Sequence, residues 1–155
     1  GEYIKEADDG RLAALVAPRL AARGVAIEGP PLPAAVALLK DRARTLNELA
    51  DAALLFYSGP VRDVALLAEH LQGASRDAVR LFAERADALA WERGAISGLI
   101  KQIVAELKLK MPQVAVPLRV AVTGRTQTPS IDAVLELIGR ETVQARIRAA
   151  LSGPG

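Results

Sequence analysis

The stretch MPQVAVPLRVAVTGRTQTPSIDAVLELIGRE, Met111–Glu141, decides how this chain is classified. From residue 114 to 122 its apolar residues follow one another as they do in a β-strand, whereas the surrounding sequence has helical spacing. A single strand in a helical protein would leave its backbone N–H and C=O groups without partners. The sequence therefore favours a short helix that has Pro117 in its first turn, ends at Gly124 and places Arg119 near its positive N-terminal end.

Helical spacing dominates the rest of the chain, which predicts an all-α protein. The break YSGP at residues 57–60 divides it into two small helical subdomains, residues 1–60 and 61–155. The predicted helices are Asp8–Arg23, Pro33–Tyr57, Val61–Leu71, a helix from Ser75 to about Glu92, Ala95–Leu107, Ile131–Ile138 and a final helix after Gly139.

Individual side chains have predicted roles in these helices. Leu15 is expected on the buried face of the first helix, together with Leu12, Val16 and Leu20. Ser75 and Ser130 are expected to be helix N-caps, and Gly24, Gly124 and Gly139 to end helices. Arg44 and Glu48 are expected to form a weak pair within one helix, and Arg140, Arg146 and Arg148 to point into solvent.

Composition excludes several classes of site. The 155 residues include no cysteine and one histidine, which excludes disulfides, a thiolate nucleophile, a cysteine-based zinc site and a histidine-rich metal site. No apolar run is long enough to span a membrane, no signal peptide is recognised, and the absence of an initial methionine suggests a piece of a longer protein. From Lys108 onward there are seven Lys and Arg residues and three Asp and Glu residues, a net charge of +4. This charge favours an anionic partner, although ordinary solvated faces would also account for it.

The segment after Pro117 concentrates hydrogen-bond donors. It contains two arginines, Arg119 and Arg125, and the backbone N–H groups of a helix that starts near Ile131, where anions bind. Pro129 and Ile131 are expected to offer an apolar surface to an unstacked base. The alternative is an ordinary loop between helices. The hydroxyl groups in this segment are those of Thr123, Thr126, Thr128 and Ser130.

Three segments resemble, in order, the C-terminal region of bacterial glutamyl-tRNA synthetases. Gly1–Leu20 is similar to the start of the helical region of that family, and Leu38–Tyr57 to its E/D-R-A-K/R-T-L-x-E-L helix, which ends in aromatic residues. Met111–Leu151 resembles its P-L-R-x-A-x-T-G block, the P-S step and the following G-[KR]-E and R-[IL] steps. The resemblance covers nearly the whole chain, and its motifs are specific when they are taken together.

The resemblance implies the anticodon-binding α-helix cage of a class I synthetase. The full-length enzyme would join glutamate to its tRNA using ATP and magnesium. This chain has neither of the catalytic signatures of that family, so we expect it to hold tRNA, to be inactive alone and to need no cofactor. The residues that the resemblance assigns to the anticodon are Arg119, Thr128, Pro129, Ile131 and Arg42, with Arg44 as the alternative to Arg42; Thr123, Arg125 and Ser130 are candidates for contacts with the tRNA backbone.

A second hypothesis is a helical module that binds other proteins and has no role with RNA. A wide exposed apolar patch would favour it. A complete small enzyme is a weaker hypothesis, because the sequence shows no nucleophile paired with a base. For the first hypothesis, the expected partner is a glutamate-accepting tRNA, the expected location is the cytoplasm, without membrane contact, and the expected state is a monomer.

Overall fold

The computed structural model describes residues 8–58 and 63–152. These residues contain nine α-helices and one short 3-10 helix, with no β-strand among them, so the all-α prediction is confirmed. The helices are α1 (Asp9–Ala22), α2 (Leu32–Leu39), the 3-10 helix (Lys40–Arg42), α3 (Leu46–Tyr57), α4 (Val64–His70), α5 (Gly73–Ala86), α6 (Arg93–Glu106), α7 (Met111–Thr123), α8 (Ile131–Ile138) and α9 (Arg140–Ser152). None of them is long and apolar enough to cross a membrane.

The chain divides into two compact units, residues 1–59 and 60–155. The predicted subdomain boundary between residues 60 and 61 lies outside the described residues, as does the predicted helix start at Val61. Residues 1–7, the start of the segment Gly1–Leu20, and residues 153–155 also lie outside them.

The first unit is built from α1, α2 and α3, each packed against the other two. In α1 the side chains of Leu12, Ala13, Val16 and Leu20 are buried. The prediction that Leu15 shares this face is wrong, because 42% of Leu15 is exposed. Ala13 belongs to the buried stripe, and its position turns the centre of the stripe away from Leu15.

The long helix predicted from Pro33 to Tyr57 is interrupted. The chain leaves the 3-10 helix in extended conformation at Ala43, and α3 begins after Thr45. Thr45 Oγ1 accepts a hydrogen bond from the backbone N–H of Glu48 at 3.1 Å, and the Glu48 carboxylate accepts from the backbone N–H groups of Arg44 (2.8 Å) and Thr45 (2.9 Å). This reciprocal capping box starts a new helix. The predicted pair of Arg44 and Glu48 within one helix is therefore wrong. Glu48 instead accepts from the backbone N–H of Arg44, which lies before the helix, as part of the cap.

The capping box predicts a pH-dependent effect of Glu48→Gln. The hydrogen bond from the backbone of Arg44 lowers the pKa of Glu48 below its ordinary value, so Glu48 stabilises the fold above its unfolded pKa and loses this contribution as pH falls through the folded pKa. The stability gap between parent and variant should be present at pH 7 and should close in acid. Thermal melting from pH 7 to pH 3 measures this gap, with the exposed Glu28→Gln as the control. A gap that stays constant with pH would contradict the argument.

Helix α7 lies at the centre of the second unit and packs against α4, α5, α6, α8 and α9. Because neighbours surround it, apolar residues occupy most of its circumference, and its sequence lacks the one-sided pattern of a surface helix. Its buried residues are Val114, Ala115, Pro117, Leu118, Val120, Ala121, Val122 and Thr123. The strand-like run of residues 114–122 is thus the sequence of a buried helix.

The sequence predicted a short helix with Pro117 in its first turn and its end at Gly124. The predicted start is wrong, and the predicted end is correct. Helix α7 begins six residues earlier, at Met111, so Pro117 is inside the helix and Arg119 lies in its C-terminal half. The sequence has a second proline, Pro112, and this one occupies the first turn. Gly124 ends the helix in the left-handed conformation, with φ of 74°.

A serine from α5 compensates for the proline inside α7. Pro117 has no N–H, so the carbonyl of Gln113, four residues earlier, lacks its helical donor. Ser75 Oγ donates a hydrogen bond to that carbonyl at 2.8 Å. The prediction that Ser75 caps its own helix is therefore wrong, because α5 already begins at Gly73.

Two of the three arginines of α9 hold the ends of other helices, which contradicts their predicted solvent exposure. Arg140 donates to the carbonyl of Ala86, the last residue of α5 (3.2 Å), and to the carbonyl of Leu89 in the turn that follows. Arg146 Nη1 donates to the carbonyl of Val122 in α7 at 3.1 Å. Burial lowers the pKa of Arg146. The carbonyls of Ala86 and Val122 are at helix C-termini, where cations are favourable. Arg148 is exposed, as predicted.

Two further helix boundaries differ from the predictions. Helix α5 ends at Ala86 instead of continuing to Glu92, and α6 begins at Arg93, which puts Gly94 inside α6. Helix α8 has the predicted bounds, Ile131–Ile138, and ends at Gly139, where φ is 97°.

Candidate nucleic-acid interface

A direct hydrogen bond joins Arg119 of α7 to the loop before α8. Arg119 Nε donates to Thr128 Oγ1 at 2.9 Å, and Thr128 Oγ1 donates to the carbonyl of Pro129 at 2.7 Å. Arg119 is half-buried and Thr128 is buried, with 8% of its surface exposed. The geometry therefore brings together two residues that the sequence assigned to one site, and the bond limits how far the guanidinium can move.

Thr123 fixes the turn that follows α7. It is buried, and its Oγ1 donates to the carbonyl of Arg119 at 2.7 Å and accepts from the backbone N–H of Arg125 at 3.1 Å. Thr123 and Thr128, two of the four hydroxyl-bearing residues of this segment, thus direct their hydroxyls to the protein itself. Thr126 is exposed and Arg125 is half-buried.

Ser130 occupies the N-cap position of α8 but does not cap the helix. Its hydroxyl donates to the carboxylate of Asp132, so the predicted capping hydrogen bond is absent at this position. Asp132 Oδ1 also accepts from the backbone N–H of Ala133 at 2.8 Å, and Asp132 Oδ2 lies 3.3 Å from Nε of Arg93. Burial raises the pKa of Asp132, but the hydrogen bonds from Ser130, Ala133 and Arg93 outweigh it and leave the pKa below its ordinary value.

A pocket of about 240 Å³ opens beside Arg119. Ile100, Met111, Ala115 and Ile131 form its apolar part, and Arg119, Ser130 and Asp132 supply polar groups. Met111 is 39% exposed at the start of α7. An apolar wall with a few polar groups is the usual composition of a site that binds a small molecule.

Pro129 and Ile131 do not form the open apolar surface that was predicted. Both are buried, and Ile131 reaches the pocket with 8% of its surface exposed. A base that contacts Ile131 would have to enter the pocket, because so little of this side chain faces solvent.

Arg42 and Arg44 belong to the first unit. Arg42 ends the 3-10 helix, and Arg44 lies in the segment before α3, where its backbone N–H binds Glu48. Both residues are exposed on the surface of that unit. The anticodon contacts proposed for them remain predictions.

Asp132 and Arg93 are part of the site geometry although the sequence did not single them out. The signal that points to Asp132 is its place two residues after Ser130 and in the first turn of α8, where an acid is favourable. Nothing in the local sequence identifies Arg93, because its contact with Asp132 joins two helices distant in the chain.

Comparison with known proteins gives one family match that covers most of the chain. The family model described as "Anticodon binding domain" matches residues 11–151. In the chain itself, this range includes every residue of the site described above.

Curated relatives and solved structures agree with that match. The chain is 53% identical to a glutamate–tRNA ligase of Janthinobacterium sp. over 146 residues, 94% of this chain and 32% of that protein. It is 53% identical to a glutamate–tRNA ligase of Bordetella parapertussis over 150 residues, 95% of this chain and 31% of that protein. A crystal structure of a glutamate tRNA ligase from Elizabethkingia meningosepticum, in complex with its amino acid, has the same fold, with a TM-score of 0.85 at 20% identity over 97% of this chain and 30% of that chain.

Proposed function

Because this chain belongs to the anticodon-binding domain family, we propose that it binds the anticodon of a glutamate-accepting tRNA on behalf of a glutamate–tRNA ligase. The observation that carries the proposal is the 53% sequence identity to two glutamate–tRNA ligases over nearly the whole chain. The chain spans about a third of the length of these relatives. The ligation of glutamate to tRNA is therefore assigned to a longer protein that contains this chain.

The proposal also covers the cofactors that the resemblance implies. The described residues contain no cluster of three or more His, Cys, Asp or Glu side chains that could hold a metal ion. We assign ATP and magnesium, which the resemblance implies, to the remaining part of the longer protein. The proposal includes a monomer that works in the cytoplasm.

The proposed binding mode uses Arg119 and the pocket beside it. The planar guanidinium can donate two hydrogen bonds to one base or stack on it, and Arg119 is held in place by Thr128. The apolar wall formed by Ile100 and Met111 would take the flat face of an unstacked base. Thr128 and Pro129 would act mainly by shaping this site, because both are buried. Arg42 or Arg44 would supply a further contact from the first unit.

The protein-binding alternative has less support. The large apolar side chains that are exposed among the described residues are single positions on four segments: Leu15, Ile27, Val64 and Met111. These positions do not favour a docking module over an RNA-binding domain.

The test of the proposal is binding of the 155-residue chain to tRNA transcripts at one fixed salt concentration. Salt must be fixed because phosphate contacts alone give affinity for any tRNA. We expect a glutamate-accepting tRNA to bind more tightly than the same transcript with an altered anticodon, by about 1–3 kcal/mol for a lost base contact. Fluorescence anisotropy measures both. Equal affinity for the two transcripts would contradict anticodon recognition.

We also expect the chain to have no aminoacylation activity alone. The sequence has no Gly-rich phosphate loop and neither of the catalytic signatures of the family that it resembles. ATP–pyrophosphate exchange with glutamate and a glutamate-accepting tRNA measures the formation of glutamyl-adenylate, on which aminoacylation depends. A full-length glutamate–tRNA ligase is the positive control, and formation of glutamyl-adenylate by the 155-residue chain would show that the expectation is wrong.

A further inference from the structure

The turn between α6 and α7 places a lysine where glycine is usual. After α6 ends, the backbone N–H of Leu109 donates to the carbonyl of Val104 at 3.0 Å, and that of Lys108 donates to the carbonyl of Ala105 at 3.3 Å. This pair of hydrogen bonds is a Schellman motif, in which the left-handed residue after the helix is most often glycine. Lys108 has φ of 55° and is the one described residue other than glycine with positive φ. Its backbone conformation therefore costs stability.

The second lysine of this turn is also at a position that does not favour the fold. Lys110 is the N-cap residue of α7, and its ammonium group has no lone pair with which to accept from the first N–H groups of the helix. Ser, Thr, Asp and Asn are preferred at an N-cap, and a positive charge is unfavourable at the positive end of the helix dipole. Residues 108–110, the lysine turn, thus carry two cations at positions where other residues would stabilise the chain more.

Both ammonium groups of the lysine turn are available to an anion. Lys108 and Lys110 are exposed, and within residues 8–58 and 63–152 neither forms an ion pair. The acid nearest to them in the sequence is Glu106, which is already engaged: its Oε1 lies 3.0 Å from Nη2 of Arg85. Glu106 therefore does not neutralise the lysine turn.

The lysine turn leads directly into the pocket beside Arg119. Met111 follows Lys110 in the chain and lines that pocket, as does Ile100 of α6. A base in the pocket belongs to a nucleotide with a phosphate on each side, so part of the RNA backbone must lie on the surface next to the pocket. Proteins hold single-stranded nucleic acid with a positively charged surface along its backbone, and lysine binds phosphate as a point charge.

We propose that Lys108 and Lys110 bind phosphate groups of the RNA strand on the surface next to the pocket, and that both lysines lower the stability of the fold. The inference rests on the proposed function and adds a backbone-binding site outside the pocket. Phosphate contacts position a strand and carry no sequence information. The lysine turn should therefore contribute equally to the affinity for every anticodon.

The test combines two substitutions in one variant, Lys108→Gly together with Lys110→Ser. Glycine adopts positive φ without strain and serine is a preferred N-cap, so the melting temperature should rise by a few degrees. Binding of a glutamate-accepting tRNA and of its anticodon-altered version should weaken by the same factor. Fluorescence anisotropy at several salt concentrations gives the slope of the logarithm of the association constant against the logarithm of the salt concentration. This slope should become less negative by about 1.4, because each phosphate contact to a single strand contributes about 0.7.

Two control variants separate the lysine turn from charge in general. Lys108→Arg together with Lys110→Arg keeps both charges and should keep the salt slope of the parent. Arg80→Ala removes one exposed charge on α5 and should leave the slope unchanged.

The possible outcomes distinguish this site from the proposed function. A double variant with the salt slope of the parent, or a loss of affinity for only one transcript, overturns the phosphate site. A melting temperature below that of the parent overturns the cost in stability from which the site is inferred. If the parent binds both transcripts equally and the double variant loses affinity for both, the lysine turn is supported and anticodon recognition fails. A parent chain that binds neither transcript overturns both.

Discussion

Phe82→Ala should lower the free energy of unfolding of the second unit by about 3–5 kcal/mol. Phe82 is the largest side chain of the described residues that is fully buried, with no exposed surface. It lies in α5, which packs against α6, α7 and α9, so the cavity left by alanine has walls from several helices. Such walls cannot all move inward together, and the variant therefore loses contacts as well as the transfer free energy of the ring.

Urea unfolding followed by circular dichroism measures this loss. Phe82→Leu keeps more of the side-chain volume and should cost less than Phe82→Ala. Arg80→Ala is the surface control on the same helix; it removes only an exposed ion pair with Asp77 and should change stability by less than about 0.5 kcal/mol. If Phe82→Ala costs no more than Arg80→Ala, Phe82 is not at the centre of the core of this unit.

Arg119→Ala should weaken binding of the glutamate-accepting tRNA by about 1–3 kcal/mol, the scale of one good base contact. The side chain combines a fixed position, given by the 2.9 Å bond to Thr128, with a planar group that pairs with base edges. Arg119→Lys should recover only part of the affinity, because lysine keeps the charge and loses the fork of donors. Anisotropy titrations at constant salt give the three dissociation constants.

If Arg119 reads the anticodon, the Arg119→Ala variant should also discriminate less between anticodons. The variant should bind the cognate tRNA and an anticodon-altered transcript with more similar affinities than the parent does. Arg80→Ala is again the control and should leave both affinities unchanged. Thermal melting of each variant separates a lost contact from a loosened fold. A folded Arg119→Ala variant that binds both transcripts as the parent does would remove Arg119 from the site.

The sequence by itself determined the helical class and several helix ends. Helix α8 has the predicted bounds, and Gly24, Gly124 and Gly139 have positive φ where they end helices. These predictions succeed because glycine adopts left-handed conformations that other residues avoid, so the signal is local. The signal for the break before α3 is also local, because Thr45 and Glu48 form a capping box. The sequence analysis missed it because the apolar residues of 33–57 have continuous helical spacing.

The course of α7 was decided only by the tertiary structure. Its apolar run looked like a strand because a helix surrounded by neighbours needs no polar face, and periodicity alone cannot distinguish the two. Its internal Pro117 is tolerated because Ser75, 38 residues away in the chain, supplies a donor to the Gln113 carbonyl.

For the candidate site too, the sequence determined one part and the tertiary structure decided the rest. The resemblance in the sequence identified Arg119 and Thr128 as site residues, and the folded structure brings them into contact. The burial of Thr123, Pro129 and Ile131, and the placement of Asp132 in the pocket beside Arg119, depend on how α6, α7 and α8 pack. Contacts between helices distant in the chain follow from the packing of the whole unit, and the order of residues in one segment does not contain them.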